Sequence, residues 1–137
     1  MNYLLDTNQW SHIQRKTPGA LARTALRPAG SSLFISVVSQ AELLAGVERL
    51  ADGQRKTDLR GLYEVAMRSS AGVLPIDSRV AERYALVAAQ LRRDGTPIGA
   101  NDMWIGATAI VHDLVLVTND AHFGYIKGVR VEDWTVA

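Results

Sequence analysis

Four acidic side chains stand where apolar stretches give way to polar ones: Asp6 after Tyr3-Leu4-Leu5, Glu42 shortly after Leu33 to Val38, Asp102 at the head of the run Met103 to Val111, and Asp120 just beyond Val115 to Val117. Carboxylates brought within a few ångström of one another raise each other's pKa, and they stay ionised together only when a cation compensates them. A divalent ion is the natural solution, and magnesium in particular takes a few Asp or Glu oxygens, several waters and substrate phosphate into an octahedral shell. Such a centre acidifies water and neutralises charge developing on a phosphoryl group. Phosphodiester hydrolysis then needs neither a cysteine nor a catalytic histidine.

The elements that must bring these acids together are legible in the periodicity. Tyr3 to Leu5 predicts a short strand ending at Asp6, after which Thr7 or Asn8 caps a helix beginning with Gln9 and Trp10. Leu33 to Val38 is rich in β-branched and aromatic residues and predicts a buried strand. Ser39 to about Leu50, with Leu43, Leu44 and Val47 on one face, predicts a helix, and Thr57 to Ser69 predicts a second. Val73 to Ile76 reads as a strand. Asp77 or Ser78 caps the longest helix, whose stripe of Val80, Tyr84, Val87, Ala88 and Leu91 stops at Gly95 and Pro97. Residues 101 to 111 are apolar nearly all round and suit a helix packed on several sides at the domain centre. Val115 to Val117 and Val129 to Val131 complete the strands.

Strands alternating with helices predict an α/β fold, with a mainly parallel central sheet of about four or five strands covered by helices on both faces. One domain spanning 1–137 is expected from the length. In such sheets the working crevice lies beyond the carboxyl ends of the strands, which is the end where all four acids fall.

Each acid also has a purely structural use. Ser39-Gln40-Ala41-Glu42 has the spacing of a capping box, Asp102 complements a helix dipole, Asn119-Asp120 suits a turn, and Asp6 can cap a helix. Their common location favours a shared chemical role.

Composition bounds the alternatives. With no cysteine there is no disulfide framework and no thiolate metal site. The net charge of +1 excludes a wholesale basic surface, so nucleic-acid contact has to be local. Arg49, Arg55, Lys56 and Arg60 give one segment a positive bias, diluted by Asp52 and Asp58 and most simply read as a solvated helix face. No apolar run approaches the ~18 residues needed to cross a bilayer, and a cytoplasmic protein is expected.

Leu4-Leu5-Asp6-Thr7-Asn8, Ala41-Glu42-Leu43 with Gly46, Ile98 to Ala107 around Asn101-Asp102, and Leu116-Val117-Thr118-Asn119-Asp120 with Phe123 follow one another in an order that resembles the PIN domain. Within it they look like the VapC and FitB-like toxins of prokaryotic toxin-antitoxin pairs. The resemblance runs on to Val131-Glu132-Asp133-Trp134. It implies an Mg²⁺- or Mn²⁺-dependent endoribonuclease that leaves a 5′-phosphate and a 3′-hydroxyl. Asp6 and Asp102 would be the principal metal ligands, Glu42 a ligand or water-orienting base, and Asp120 would complete the site. Thr118 would hold Asp6 or a water through its hydroxyl, and Asn8 would have a similar supporting part. The resemblance further implies a cognate VapB-like antitoxin lying across the helices from Ser39 to Ser69, and a homodimer that can enter a larger toxin-antitoxin assembly. A transfer-RNA or ribosomal-RNA loop is a suitable substrate, because single-stranded loops present unstacked bases.

The chain departs from the pattern in three places. His122 stands where the family often has an acid, Gln9 where it has a small hydrophobic residue, and Gly106 where it has alanine. His122 reads as an exposed loop histidine, with contact to RNA phosphate as its alternative use. Trp10 and Trp104 are candidates for base stacking, although core packing suits Trp104 better. A haloacid-dehalogenase-type phosphatase is disfavoured by Asn8 where a second acid is needed, and a phospho-receiver by the want of an acidic neighbour for Asp6. The remaining rival is a catalytically inactive PIN-like module that binds RNA or protein, for which the loss of a carboxylate would be the expected sign.

Overall fold

The computed structural model describes residues 1–14 and 29–135, the side chains of 11–14 excepted. Five parallel strands form one sheet in the order β3-β2-β1-β4-β5: β1 (Tyr3–Leu5), β2 (Leu33–Ser36), β3 (Gly72–Leu74), β4 (Val115–Val117) and β5 (Arg130–Glu132). The helices are α1 (Thr7–Gln14), α2 (Val37–Glu48), α3 (Gln54–Ser69), α4 (Ser78–Asp94) and α5 (Ala100–Val111), with a 3₁₀ turn at Ala121–Tyr125. This is the expected α/β arrangement.

The pleat divides the core in two, because successive side chains on a strand point to opposite faces. Leu4 and Leu116 pack on one side with Val87, Leu91, Ile105 and Phe123. Tyr3, Leu5, Val115 and Val117 pack on the other with Trp10, Ile35 and Trp134. The central strands β1 and β4 are buried throughout, whereas the edge strands β3 and β5 are not. Between these faces β1 has β2 on one side and β4 on the other, paired in register Leu4 with Phe34 and Leu5 with Val117. The chain departs from β1 in both directions. That makes the gap beyond β1 and β4 the topological switch point, where α/β sheets open a crevice.

Three local readings need correction. The strand expected to run to Val38 ends at Ser36, and the next helix already begins at Val37 with Ser36 as its cap, the hydroxyl accepting from Ser39 N at 3.1 Å. Ser39 therefore caps nothing, and Glu42 is not the partner in a capping box. Likewise α1 starts at Thr7, directly after Asp6, whose Oδ1 accepts from Thr7 N at 2.8 Å and whose carbonyl accepts from Gln9 and Trp10. Finally, Trp10 is 1% exposed and part of the core, so it has no face to offer a base. Trp104 is half-buried and stacks on Tyr84 with ring centroids 3.9 Å apart.

Asp77 caps α4 by accepting from Val80 N, and Gly95 ends that helix in the left-handed conformation at φ 67°. No described helix is long and apolar enough to cross a membrane.

A candidate metal centre at the switch point

Asp6 enters the crevice from the end of β1, and its backbone N–H extends the β1–β4 ladder by donating to Val117 O at 3.0 Å. The next residue on the neighbouring strand is Thr118, whose hydroxyl donates to Asp6 Oδ2 at 2.9 Å and accepts from Asp120 N at 3.0 Å. One hydroxyl thus ties two of the acids together. Asp6 is only 6% exposed. Burial pushes its carboxyl above the ordinary aspartate value, against the hydrogen bonds from Thr118 and Thr7, and the charges of Glu42 and Asp120 add to the rise.

Asp102 comes from the first turn of α5, the central helix. Its carboxyl is pushed up to about 6, first by burial and then by repulsion from Asp120, Asp6 and Glu42. The other three proposed acids all act on Asp102, which sets the four around one crevice. Among the described residues, however, the group close enough to share one ion does not include Asp6 or Glu42. A ligand atom from each of Asp102, Asp120 and His122 lies within 4.8 Å of the others.

Glu42 reaches in from an exposed position on α2, held by Thr7 Oγ1, which donates to Glu42 Oε1 at 3.0 Å and lies 2.8 Å from the buried Ser39 hydroxyl. Asn8, by contrast, is exposed on α1, and among the described residues its side chain makes no hydrogen bond to the acids. The polar link from the first loop to Glu42 is made by Thr7. Sequence reading treated Thr7 only as a cap; its place directly after a strand-ending acid was the available signal.

In the basic segment Lys56 and Arg60 are ion-paired. Arg60 pairs with Glu48 at 2.7 Å, and Lys56 lies 3.6 Å from Glu48 and 3.5 Å from Asp52. Asp52, Lys56 and Arg60 line an open groove of about 540 Å³ along α3 and the turn before it, distinct from the carboxylates.

The donor set is hard, oxygen-rich and overcharged, which fits a divalent ion and offers nothing to a soft metal that demands thiolates. Thr118 acts here through Asp6 and Asp120 rather than on any reacting atom. Thr118→Val, which keeps shape but removes the hydroxyl, is expected to lower kcat of any metal-dependent cleavage by roughly 10–100-fold, the usual cost of losing a partner that orients a ligand. Thr118→Ser should restore most of it. A Val variant as active as wild type in steady-state kinetics would deny Thr118 this positioning role.

Comparison with known proteins finds relatives over nearly the whole chain. The PIN domain model matches residues 3–129. A tRNA(fMet)-specific endonuclease VapC of Salmonella typhimurium is 32% identical over 136 residues, covering 98% of each chain. Among solved structures, FitAcB from Neisseria gonorrhoeae matches with a TM-score of 0.85 at 31% identity, over 98% of both chains. VapBC2 from Rickettsia felis, bound to a promoter DNA fragment, matches with a TM-score of 0.87 at 25% identity, over 98% of this chain and 99% of that one.

Proposed function

Because the chain belongs to the PIN-domain family, we propose that the acidic crevice is the active site of an Mg²⁺- or Mn²⁺-dependent endoribonuclease, a VapC-like toxin held inactive by a cognate antitoxin. The observation that carries the reading is the convergence of Asp6, Glu42, Asp102 and Asp120, with Asp102 pushed up to about 6 by burial and by the other three acids. Relatives named as ribonucleases or endonucleases support the choice of RNA.

Asp6, Asp102 and Asp120 would hold the ion. When bound, it supplies Lewis acidity toward a phosphate oxygen and lowers the pKa of water. The residues do the rest. Asp6, fixed by two hydrogen bonds and almost wholly buried, defines the floor of the crevice. Glu42, exposed at the rim, accepts a proton from the attacking water. The water oxygen forms the new bond to phosphorus, the bond from phosphorus to the 3′ oxygen breaks, and that oxygen departs with a proton, leaving a 5′-phosphate and a 3′-hydroxyl. A single-stranded loop of transfer or ribosomal RNA suits a crevice at the carboxyl end of the sheet, since its bases and backbone can be splayed into it.

The test is cleavage of a pool of cellular RNA by antitoxin-free protein with Mg²⁺, Mn²⁺ or EDTA, mapping new 5′ ends. Discrete cuts that need metal are expected; RNA bound but intact under every condition would leave a binding module instead.

The antitoxin surface in this reading is the outer face of α2 and α3. Leu62 and Val65 of α3 are exposed at 39% and 50% and give an apolar anchor for an amphipathic partner helix. Val65→Glu is expected to break co-purification with the co-expressed antitoxin while leaving RNA cleavage intact; an undisturbed complex would move the antitoxin elsewhere.

A further inference from the structure

We propose that His122 is a nitrogen ligand of the metal centre, so that this enzyme favours borderline transition ions such as Co²⁺ over Mg²⁺. The inference deepens the nuclease reading and rests on it. Its starting point is geometric: His122, Asp120 and Asp102 present ligand atoms within 4.8 Å of one another, the spacing at which one ion can touch all three. His122 Nδ1 lies 3.1 Å from Asp120 Oδ1, and the same oxygen accepts from His122 N at 2.9 Å. The ring is thus folded back toward the acid, although the side chain is 63% exposed. This contact already fixes the imidazole beside the acid, so little further rotamer freedom is lost when an ion joins them.

The loop carrying it is built to hold still. Phe123, next in sequence, is fully buried, and Ile126 is nearly so. Gln90 of α4, itself buried, donates to Tyr125 O and accepts from Lys127 N, both at 3.0 Å. Gly106 permits the close seat of Ile126 on α5, since a β-carbon there would stand 2.6 Å from Ile126 Cδ1. The Tyr125 ring borders the imidazole with centroids 6.2 Å apart. Ligands carried on such a braced turn are presented without further ordering, as a selective metal site requires.

The chemical consequence follows from the donor. Carboxylates and water suit Mg²⁺, whereas imidazole suits later first-row ions, whose affinity for a mixed N/O site rises from Mn²⁺ through Fe²⁺ and Co²⁺. An acid in place of His122 would give an all-oxygen set with one more negative charge. His122 exchanges that charge for a softer donor.

The full-length protein, stripped of metal with a chelator, is titrated with Mg²⁺ and Co²⁺ by calorimetry as wild type, His122→Ala, His122→Asp and Asp102→Asn. Pulsed electron paramagnetic resonance on the Mn²⁺-loaded wild type reads nitrogen coupling directly. Expected are a ¹⁴N coupling, a Co²⁺ affinity lowered roughly tenfold or more in both His122 variants, and Mg²⁺ affinity held or raised in His122→Asp. If Asp102→Asn abolishes binding but neither His122 variant changes it and no nitrogen coupling is seen, the His122 assignment falls and the carboxylate centre stands. If Asp102→Asn leaves the binding of both ions unchanged, the carboxylate centre itself is wrong and the His122 assignment falls with it.

Discussion

Asp102→Asn is expected to abolish metal-dependent RNA cleavage and at the same time to stabilise the metal-free protein. The two effects have one cause. Burial and three neighbouring acids push the Asp102 carboxyl up to about 6, which means that the folded protein resists its ionisation. One pKa unit corresponds to about 1.4 kcal/mol, and because Asp102 is only half-buried, solvent screening reduces the gain from neutralising it to roughly 1–2 kcal/mol. For activity the sign reverses, since in the proposed centre the amide would remove an anionic ligand; a loss well beyond the roughly 10–100-fold typical of merely orienting partners is expected. Asp6→Asn should be as damaging to cleavage but less favourable to stability, because an amide offers one oxygen to the two donors, Thr7 N and the Thr118 hydroxyl, that the carboxylate now accepts from, an offset of about 1 kcal/mol. RNA cleavage and urea denaturation of the same preparations check both halves. An Asp102→Asn protein that is inactive and also less stable would point to a structural role for this acid rather than a metal-binding one.

The second large effect is the pH dependence of stability without metal. The Asp102 carboxyl titrates at about 6 in the fold, against about 3.9 in an unfolded chain. Between those values the folded state holds a proton that the unfolded state has released, so stability falls as pH rises. The contribution is fully present below about pH 4 and lost as pH passes through about 6, and Asp6, also raised, adds in the same direction. Other carboxylates titrate in this range, so the informative quantity is the wild-type curve minus that of Asp102→Asn. That difference should turn against the wild type between pH 4 and 7. Saturating divalent ion should cancel it above pH 6. At a hundred times the dissociation constant the ion stabilises by about 2.7 kcal/mol, or roughly 8–10 °C in melting temperature for a chain of this length. A difference curve that stays flat, or a metal shift that is equal at pH 5 and pH 8, would sink the account.

Much of this architecture could be read before any coordinates. Tyr3 to Leu5 and Val115 to Val117 stand as strands over the expected residues, Asp77 and Gly95 bound α4 as capping chemistry requires, and the acids gather at the carboxyl end of the sheet. The misreadings share a local cause. Val37 and Val38 have strand propensity, so they read as part of the strand from Leu33, and Ser39 with Glu42 three residues on had the spacing of a capping box; in the fold the cap is Ser36. Thr7 was likewise ambiguous, and only the fold brings it to Glu42, 35 residues away. Trp10 looked free for bases because nothing local reveals that α1 turns this face onto β1 and Trp134. His122 was legible only as an exposed loop residue standing where the family often has an acid; that it lies beside Asp102, a helix and a strand earlier, is a product of the fold.

The Thr118 to Asp6 hydrogen bond joins residues 112 positions apart. Long-range closures of this kind form late, because chain entropy must be overcome before they stabilise anything. A ribosome extends a chain at about 5–20 residues per second, so Asp6 is made on the order of 6–20 seconds before Thr118. Through that interval β1 has neither its β4 neighbour nor the helix that brings Asp102. A growing chain therefore carries no assembled carboxylate crevice past the RNAs of the ribosome that is making it until the strand before Asp120 has been translated and released.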